Sequence, residues 1–352
     1  MVGWRRRQLV LACLAGLLGA LGWARAARVV AVARPNLDVP EMLAEAEIVA
    51  EVSGIAARSM GDEAGPLDVA CRATVSCVLK GDAELEGQEV QWRSYDPRYH
   101  TPYPNPFAAP RGIVFLKSKT GARFELIHPA GGFLELPARR PAAPALPATP
   151  LEVIRAELLN CLRDQDVRLV SAAAARLGFF PEDTPTREAL FELVHGLDAL
   201  AAMTACRALM RLEAPEGVEA AAQLLQAPPL PDIVSRLARR RLVHAVSKLE
   251  DDGCLKHVLT LTKAPDADVR QAAAQALGNM PSPEAVKALG EALWDGDRMV
   301  RYWAIHGLAR ITRIRGYAPM WSLYEPDEDK YLTFWRKWYE EVGKPGVEEP
   351  EQ

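Results

Sequence analysis

The 352-residue chain lacks every short motif that announces metal, acyl-transfer or nucleotide chemistry. It has no His-x-x-x-His, no Cys-x-x-Cys, no Gly-x-Ser-x-Gly elbow and no phosphate-binding glycine loop. Its six histidines (100, 128, 195, 244, 257 and 306) do not cluster in the sequence. No catalytic residue, metal ligand or cofactor is therefore nominated, and a non-catalytic role is expected. Cysteine is sparse and scattered. Cys71 and Cys77 share one expected strand, where six residues span roughly 20 Å, beyond disulfide reach. Basic residues are not in surplus: 42 Lys and Arg face 46 Asp and Glu, a formal net charge of −4, which argues against a nucleic-acid ligand. Aromatics make up only 7% of the chain, and 24 Gly with 27 Pro give no low-complexity bias. The 49% hydrophobic content excludes disorder as the main state and provides for a sizeable core.

The N-terminus reads as an export signal. Arg5, Arg6 and Arg7 precede an apolar run from Leu9 to Trp23, and Ala24-Arg25-Ala26 follows as a small-residue cleavage site, placing cleavage after Ala26. The run falls short of the roughly 20 residues a membrane span needs, so no stable span is expected once it is removed. Lipidation at Cys13 and twin-arginine export through Arg6-Arg7 stay open as alternatives. Removing residues 1–26 takes away four arginines and no acid, leaving 38 basic against 46 acidic residues, about −8. The expected compartment is periplasmic or extracellular.

Residues 27–137 then follow a period of two. Asp38 and Pro40 open a short helix. Val69, Cys71, Ala73, Val75, Cys77 and Leu79 lie on one face of an extended segment, with Val78 the single exception. Further strands read at 48–55, 88–95, 112–117, 123–128 and 133–136. The pattern implies a small all-β barrel or sandwich. Val78-Leu-Lys-Gly81, Gly112-Ile-Val-Phe-Leu116 and Gly132-Phe-Leu make it resemble the OB-like domain of the netrin and tissue-inhibitor-of-metalloprotease type. That resemblance implies an extracellular inhibitor as one alternative, but the expected mature N-terminus carries no Cys to chelate a protease metal. Between two strands, the loop 96–110 holds five prolines with Tyr99, His100, Tyr103 and Phe107, a candidate binding loop or a rigid cover for the barrel edge.

A proline-rich linker spans 138–150, and from 151 to 316 the period becomes helical and the sequence repeats. Residues 210–225 and 278–293 align without a gap at Pro215/Pro283, Glu216/Glu284, Val218/Val286, Ala220/Ala288 and Leu225/Leu293. Apolar anchors recur at Leu177, Leu209, Val246, Leu277 and Leu308, giving about five helix pairs. Asp266-Ala-Asp-Val-Arg270, Asp295-Gly-Asp297-Arg-Met-Val-Arg301 and Asp166-Val-Arg168 resemble HEAT repeats of the armadillo-like class, in particular those of phycobilisome lyases. The resemblance implies an α-solenoid that binds a protein or peptide on its inner face. It also implies, as an alternative, a lyase or isomerase of the bilin-attachment type, against which export argues.

Arg270 and Arg301 are candidate ligand-binding residues, although Asp caps and Arg–Asp pairs between repeats explain the same pattern. Arg236, Arg239, Arg240 and Arg241 form the one basic cluster, a solvated face or a receiver for an acidic segment. In residues 317–352, Asp327 opens a helix whose Tyr331, Trp335, Trp338 and Val342 fall at helical spacing. They read as an atypical capping helix with an acidic tail, while Trp321, Tyr324 and Phe334 offer an alternative aromatic patch.

Overall fold

The computed structural model describes residues 38–59, 68–95, 110–119, 123–127, 132–138, 148–196 and 198–343. Six strands form one antiparallel sheet: β1 (Ile48–Ser59), β2 (Asp68–Lys80), β3 (Glu89–Tyr95), β4 (Arg111–Lys119), β5 (Arg123–Leu126) and β6 (Phe133–Leu136). Hydrogen bonds connect them in the order β3-β2-β1-β4-β5, with β6 on β4, and β3 lies against β5. The resulting circle, β1-β2-β3-β5-β4, is a nearly closed Greek-key barrel of OB type. Ala50, Val52, Cys71, Ala73, Val75, Trp92, Val114, Leu116 and Phe133 fill its interior.

A register shift in the β1–β2 ladder explains the one exception in the strand pattern. Val52 pairs with Val75 but Glu51 with Cys77, so Ser76 is an extra residue and the phase of β2 flips behind it. Val78 consequently packs against the barrel interior, where the alternation alone places Cys77 and Leu79. A second difference concerns the opening helix α1 (Val39–Glu45). Asp38 occupies the N-cap position and Pro40 the first turn, but the Asp38 side chain makes no capping hydrogen bond.

The chain divides into two compact units, 1–160 and 161–352. Helix α2 (Pro150–Cys161), which the repeat pattern counts as the opening of the solenoid, falls almost entirely in the first unit. Its physical anchor is a salt bridge. The outward residues Val49, Ile113, Phe115, Leu134 and Leu136 are also buried, and on that side Glu157 of α2 meets Arg111 of β4.

The second unit is helical: α3 (Val167–Leu177), α4 (Thr184–Val194), α5 (Ala199–Arg211), α6 (Pro215–Gln226), α7 (Ile233–Val246), α8 (Leu255–Leu261), α9 (Ala267–Leu277), α10 (Pro283–Ala292), α11 (Arg298–Thr312), α12 (Trp321–Tyr324) and α13 (Glu328–Trp338). Helices α3, α5, α7, α9 and α11 each pack on the next to form one layer, and α4, α6, α8 and α10 form the other. This is an α-solenoid. Every helix of the first layer is capped by aspartate: Asp166, Asp198, Asp232, Asp266 and Asp297 each accept a hydrogen bond from the backbone N–H two or three residues on. Each such cap contributes about 1 kcal/mol. Gly278 at the end of α9 lets that helix approach α11, since a Cβ there would stand 2.7 Å from the Cα of Gly307.

The C-terminal aromatics close the stack. Trp335 is fully buried and donates its indole N–H to the carbonyl of Tyr317 at 2.8 Å, and Tyr317 stacks on Phe334 at 3.6 Å. The expected stripe ends early. Tyr339, one α-helical step of four beyond Trp335, takes the buried position, and Val342, within the π-helical turn Tyr339–Gly343, is exposed.

Candidate binding cleft

Helix α7 places its arginines by its period. Steps of 100° put Ser235, Arg239, Leu242 and Val246 on the buried side and leave two adjacent rows on the surface. One row is Arg236, Arg240 and His244. The other is Ile233, Leu237 and Arg241. Between α7 and α9 opens a cleft of about 850 Å³, walled by Arg236, Arg239, Arg240 and His244 on one side and by Asp266, Asp268 and Gln271 on the other. Pro228 and Pro229, which precede α7, close one end.

The arginines of this wall differ in what they touch. Arg239 has a side chain only 9% exposed. It donates to Asp266 at 3.3 Å and to the carbonyl of Leu225 at 3.0 Å, linking α7 to the next repeat and to the end of α6. Arg236, Arg240 and His244 are exposed and meet no carboxylate among the described residues. A second group of cations lies on the other side of α7. Arg211 of α5 sits over the Phe179 ring at 4.3 Å, with its Nη1 buried and without an acceptor among the described residues. Arg207, one turn earlier, is pushed down to about 10 by burial first and then by the charges of Arg211 and Arg241. Cations therefore crowd together here without counter-charge among the described residues.

Arg270 and Arg301 stand elsewhere in function. Arg270 donates to both carboxylate oxygens of Asp295 and to the carbonyls of Ala264 and Pro265. Arg301 likewise meets Glu328 and the carbonyls of Asp295 and Gly296. Both belong to a ladder that ties successive repeats, so their guanidinium groups are engaged internally. Tyr324 is fully buried, Trp321 packs edge-on to Tyr302 and Phe334 is held by Tyr317, so those three aromatics form no single open patch. Tyr99, His100, Tyr103 and Phe107, the cleavage site at Ala26, and linker residues 139–147 lie outside the described residues.

Sequence reasoning passed over two features. Arg207 and Arg211 sit in an alanine-rich helix, where their i, i+4 spacing was the available signal. The other is a buried triad in the first unit: Arg111 donates to Glu157 at 2.6 and 2.7 Å, to Glu51 at 3.4 Å and to the carbonyl of Pro137 at 2.6 Å. Glu157 lies within the stripe Ile154, Leu158 and Cys161, a place where helical periodicity calls for an apolar residue.

Residues 255–335 match the HEAT-repeat family. The HEAT stretch thus takes in α8 through most of α13, including Asp266, Arg270, Asp297 and Arg301. Two solved structures are similar. A crystal structure of an engineered protein shares 19% identity over 52% of this chain and 93% of its own, with a TM-score of 0.34. The complex of CpcE and CpcF of phycocyanin lyase from Nostoc sp. PCC7120 shares 20% identity over 51% of this chain and 69% of its own, with a TM-score of 0.35. No curated protein sequence matches. Among the described residues no helix is long and apolar enough to cross a membrane.

Proposed function

We propose that this chain is an exported, non-catalytic binding protein that presents its HEAT solenoid to a protein or peptide partner. The observation that carries the reading is the cleft between α7 and α9. One layer of helices uses Arg239, Arg270 and Arg301 to hold repeats together, while Arg236, Arg240 and His244 in the same layer face solvent without a carboxylate among the described residues. Charges that support no internal contact are available to a ligand. Export rests on the Arg5–Ala26 segment and gives the partner's compartment as the cell envelope or the outside.

Site-specific photocrosslinking in the native host tests the reading. A photoreactive residue at Gln271, in the cleft, is expected to trap a defined protein partner, whereas one at Glu219, on the exposed side of α6, is not. Equal trapping at both positions overturns the solenoid-face reading. Recovery of the chain from the cytoplasm with residues 1–26 intact overturns export, and a covalent coloured adduct formed on coexpression with bilin and an acceptor subunit overturns the non-catalytic reading.

A further inference from the structure

The surface of α7 has a pattern more specific than a basic patch. Ile233 is 66% exposed and Leu237 41%, and together with Arg241 they make one i, i+4, i+8 row. Arg236, Arg240 and His244 make the parallel row beside it. Each row rises about 6 Å per step. Leu230, exposed at 42%, extends the apolar end. An apolar strip is thus flanked by cations on both sides: Arg236 and Arg240 toward α9, and Arg241 with Arg207 and Arg211 toward α5.

The other charges near the band do not neutralise it. Asp266 is held by Arg239, and the carboxylate of Asp232 caps α7 by accepting from Ser235. Asp268 lines the far wall of the cleft and leaves that rim acidic. The mutual repulsion among Arg207, Arg211 and Arg241, and the buried Nη1 of Arg211, independently mark the α5 side as short of negative charge. Clustering cations this way costs stability, and a bound anion would recover it.

We propose that the exposed band of α7 docks an acidic amphipathic segment of a partner protein, its carboxylates against the two arginine groups and its apolar side chains on Ile233 and Leu237. This rests on the protein-binding reading of the solenoid and names the partner's chemistry. Carboxylates spaced one helical turn apart match the Arg236–Arg240 step, and the apolar strip gives a helix a second contact that a fully charged chain cannot use.

The test uses the full-length purified chain and fluorescence anisotropy. The probe is a labelled 20-residue peptide of glutamate and leucine with leucines along one helical face. It is compared with polyglutamate of equal length, a lysine-for-glutamate counterpart and a 20-nucleotide polyuridylate. Tighter binding of the glutamate–leucine peptide than of polyglutamate is expected. Arg236→Glu with Arg240→Glu should weaken it at least about tenfold, and Leu237→Asp should remove its advantage over polyglutamate. Lys256→Glu with Lys263→Glu makes the same charge change on the exposed α8 side and should leave binding unchanged. Equal loss in both charge variants, or no measurable peptide binding, overturns the proposal. So does tighter binding of polyuridylate lost through the same arginines, which would make the band a nucleic-acid site. If the peptide fails while crosslinking at Gln271 persists, only this inference falls; if both fail, the solenoid-face reading falls with it.

Discussion

Arg270 and Asp295, in adjacent repeats, are joined by two parallel hydrogen bonds, Nε to Oδ2 at 2.8 Å and Nη2 to Oδ1 at 2.9 Å. The same guanidinium satisfies the carbonyls of Ala264 and Pro265, so a single side chain closes one repeat and clamps the next. Arg270→Ala is expected to cost about 2 kcal/mol in urea unfolding, because a bidentate pair and the donor to two carbonyls, that of Ala264 partly buried, are lost together. Arg236→Ala with Arg240→Ala, in the same layer but without internal partners among the described residues, should stay within about 0.5 kcal/mol of the parent. Equal destabilisation by the two variants would place Arg236 and Arg240 in the scaffold.

Acid should loosen the same joints. Burial alone would raise the pKa of Asp295, but hydrogen bonds from Arg270 and the backbone of Asp297 and the charges of Arg270 and Arg301 outweigh it and hold the carboxyl below its ordinary 3.8. Glu328 is likewise held below 4.5: burial is outweighed by hydrogen bonds from Tyr324 and Arg301 and by the charges of Arg301 and Arg298. A depressed pKa gives stability that is fully present above the ordinary value and is lost as pH falls through the folded one. The stability gap between the parent and Asp295→Asn is therefore expected to hold from pH 7 to pH 5 and to close below about 3.8. A gap independent of pH would show that Asp295 acts through shape rather than charge.

The triad of the first unit predicts a larger effect. The side chains of Arg111, Glu157 and Glu51 are exposed by only 4%, 7% and 11%. Arg111→Met removes three hydrogen bonds from two buried carboxylates and should cost about 3–5 kcal/mol. The triple change Arg111→Met, Glu51→Leu and Glu157→Leu should cost less than the single one, although the Pro137 carbonyl still loses its donor. Chemical denaturation of the three proteins decides this, and a triple variant worse than the single one would show that the pairs contribute net stability.

What the sequence revealed was whatever local periodicity encodes. The strands, the helix-pair spacing and the Asp caps at 166, 266 and 297 follow from periods of two and 3.6 and from cap chemistry within a few residues. The caps at Asp198 and Asp232 lacked the Asp-Val-Arg signature and were visible only once each helix start was placed. The flip behind Ser76 was hidden because a bulge depends on the partner strand, and Arg111 with Glu51 because residues 60 apart meet only through the sheet. Arg236 and Arg270 belong to similar-looking runs. Their separation into surface and clamp is set by neighbours one repeat away, which a single helix does not record.

Gly290 of α10 tests how the C-terminal cap is held. In most helix interiors Gly→Ala gains about 1 kcal/mol of helix propensity, but a Cβ at 290 would fall within the ring of Tyr339. That ring is buried at the start of the π-helical turn and tilts against Trp294 at 6.1 Å. Gly290→Ala should therefore destabilise the cap by about 1–3 kcal/mol, the usual cost of overpacking. Gly296→Ala, where the added atom meets nothing within 4 Å, should be neutral or slightly stabilising. Because the cost lies in one contact, Tyr339→Ala should absorb it, leaving Gly290→Ala harmless in that background. Thermal unfolding of the four proteins reads the coupling, and additive losses would mean that α10 meets the cap elsewhere than at this ring.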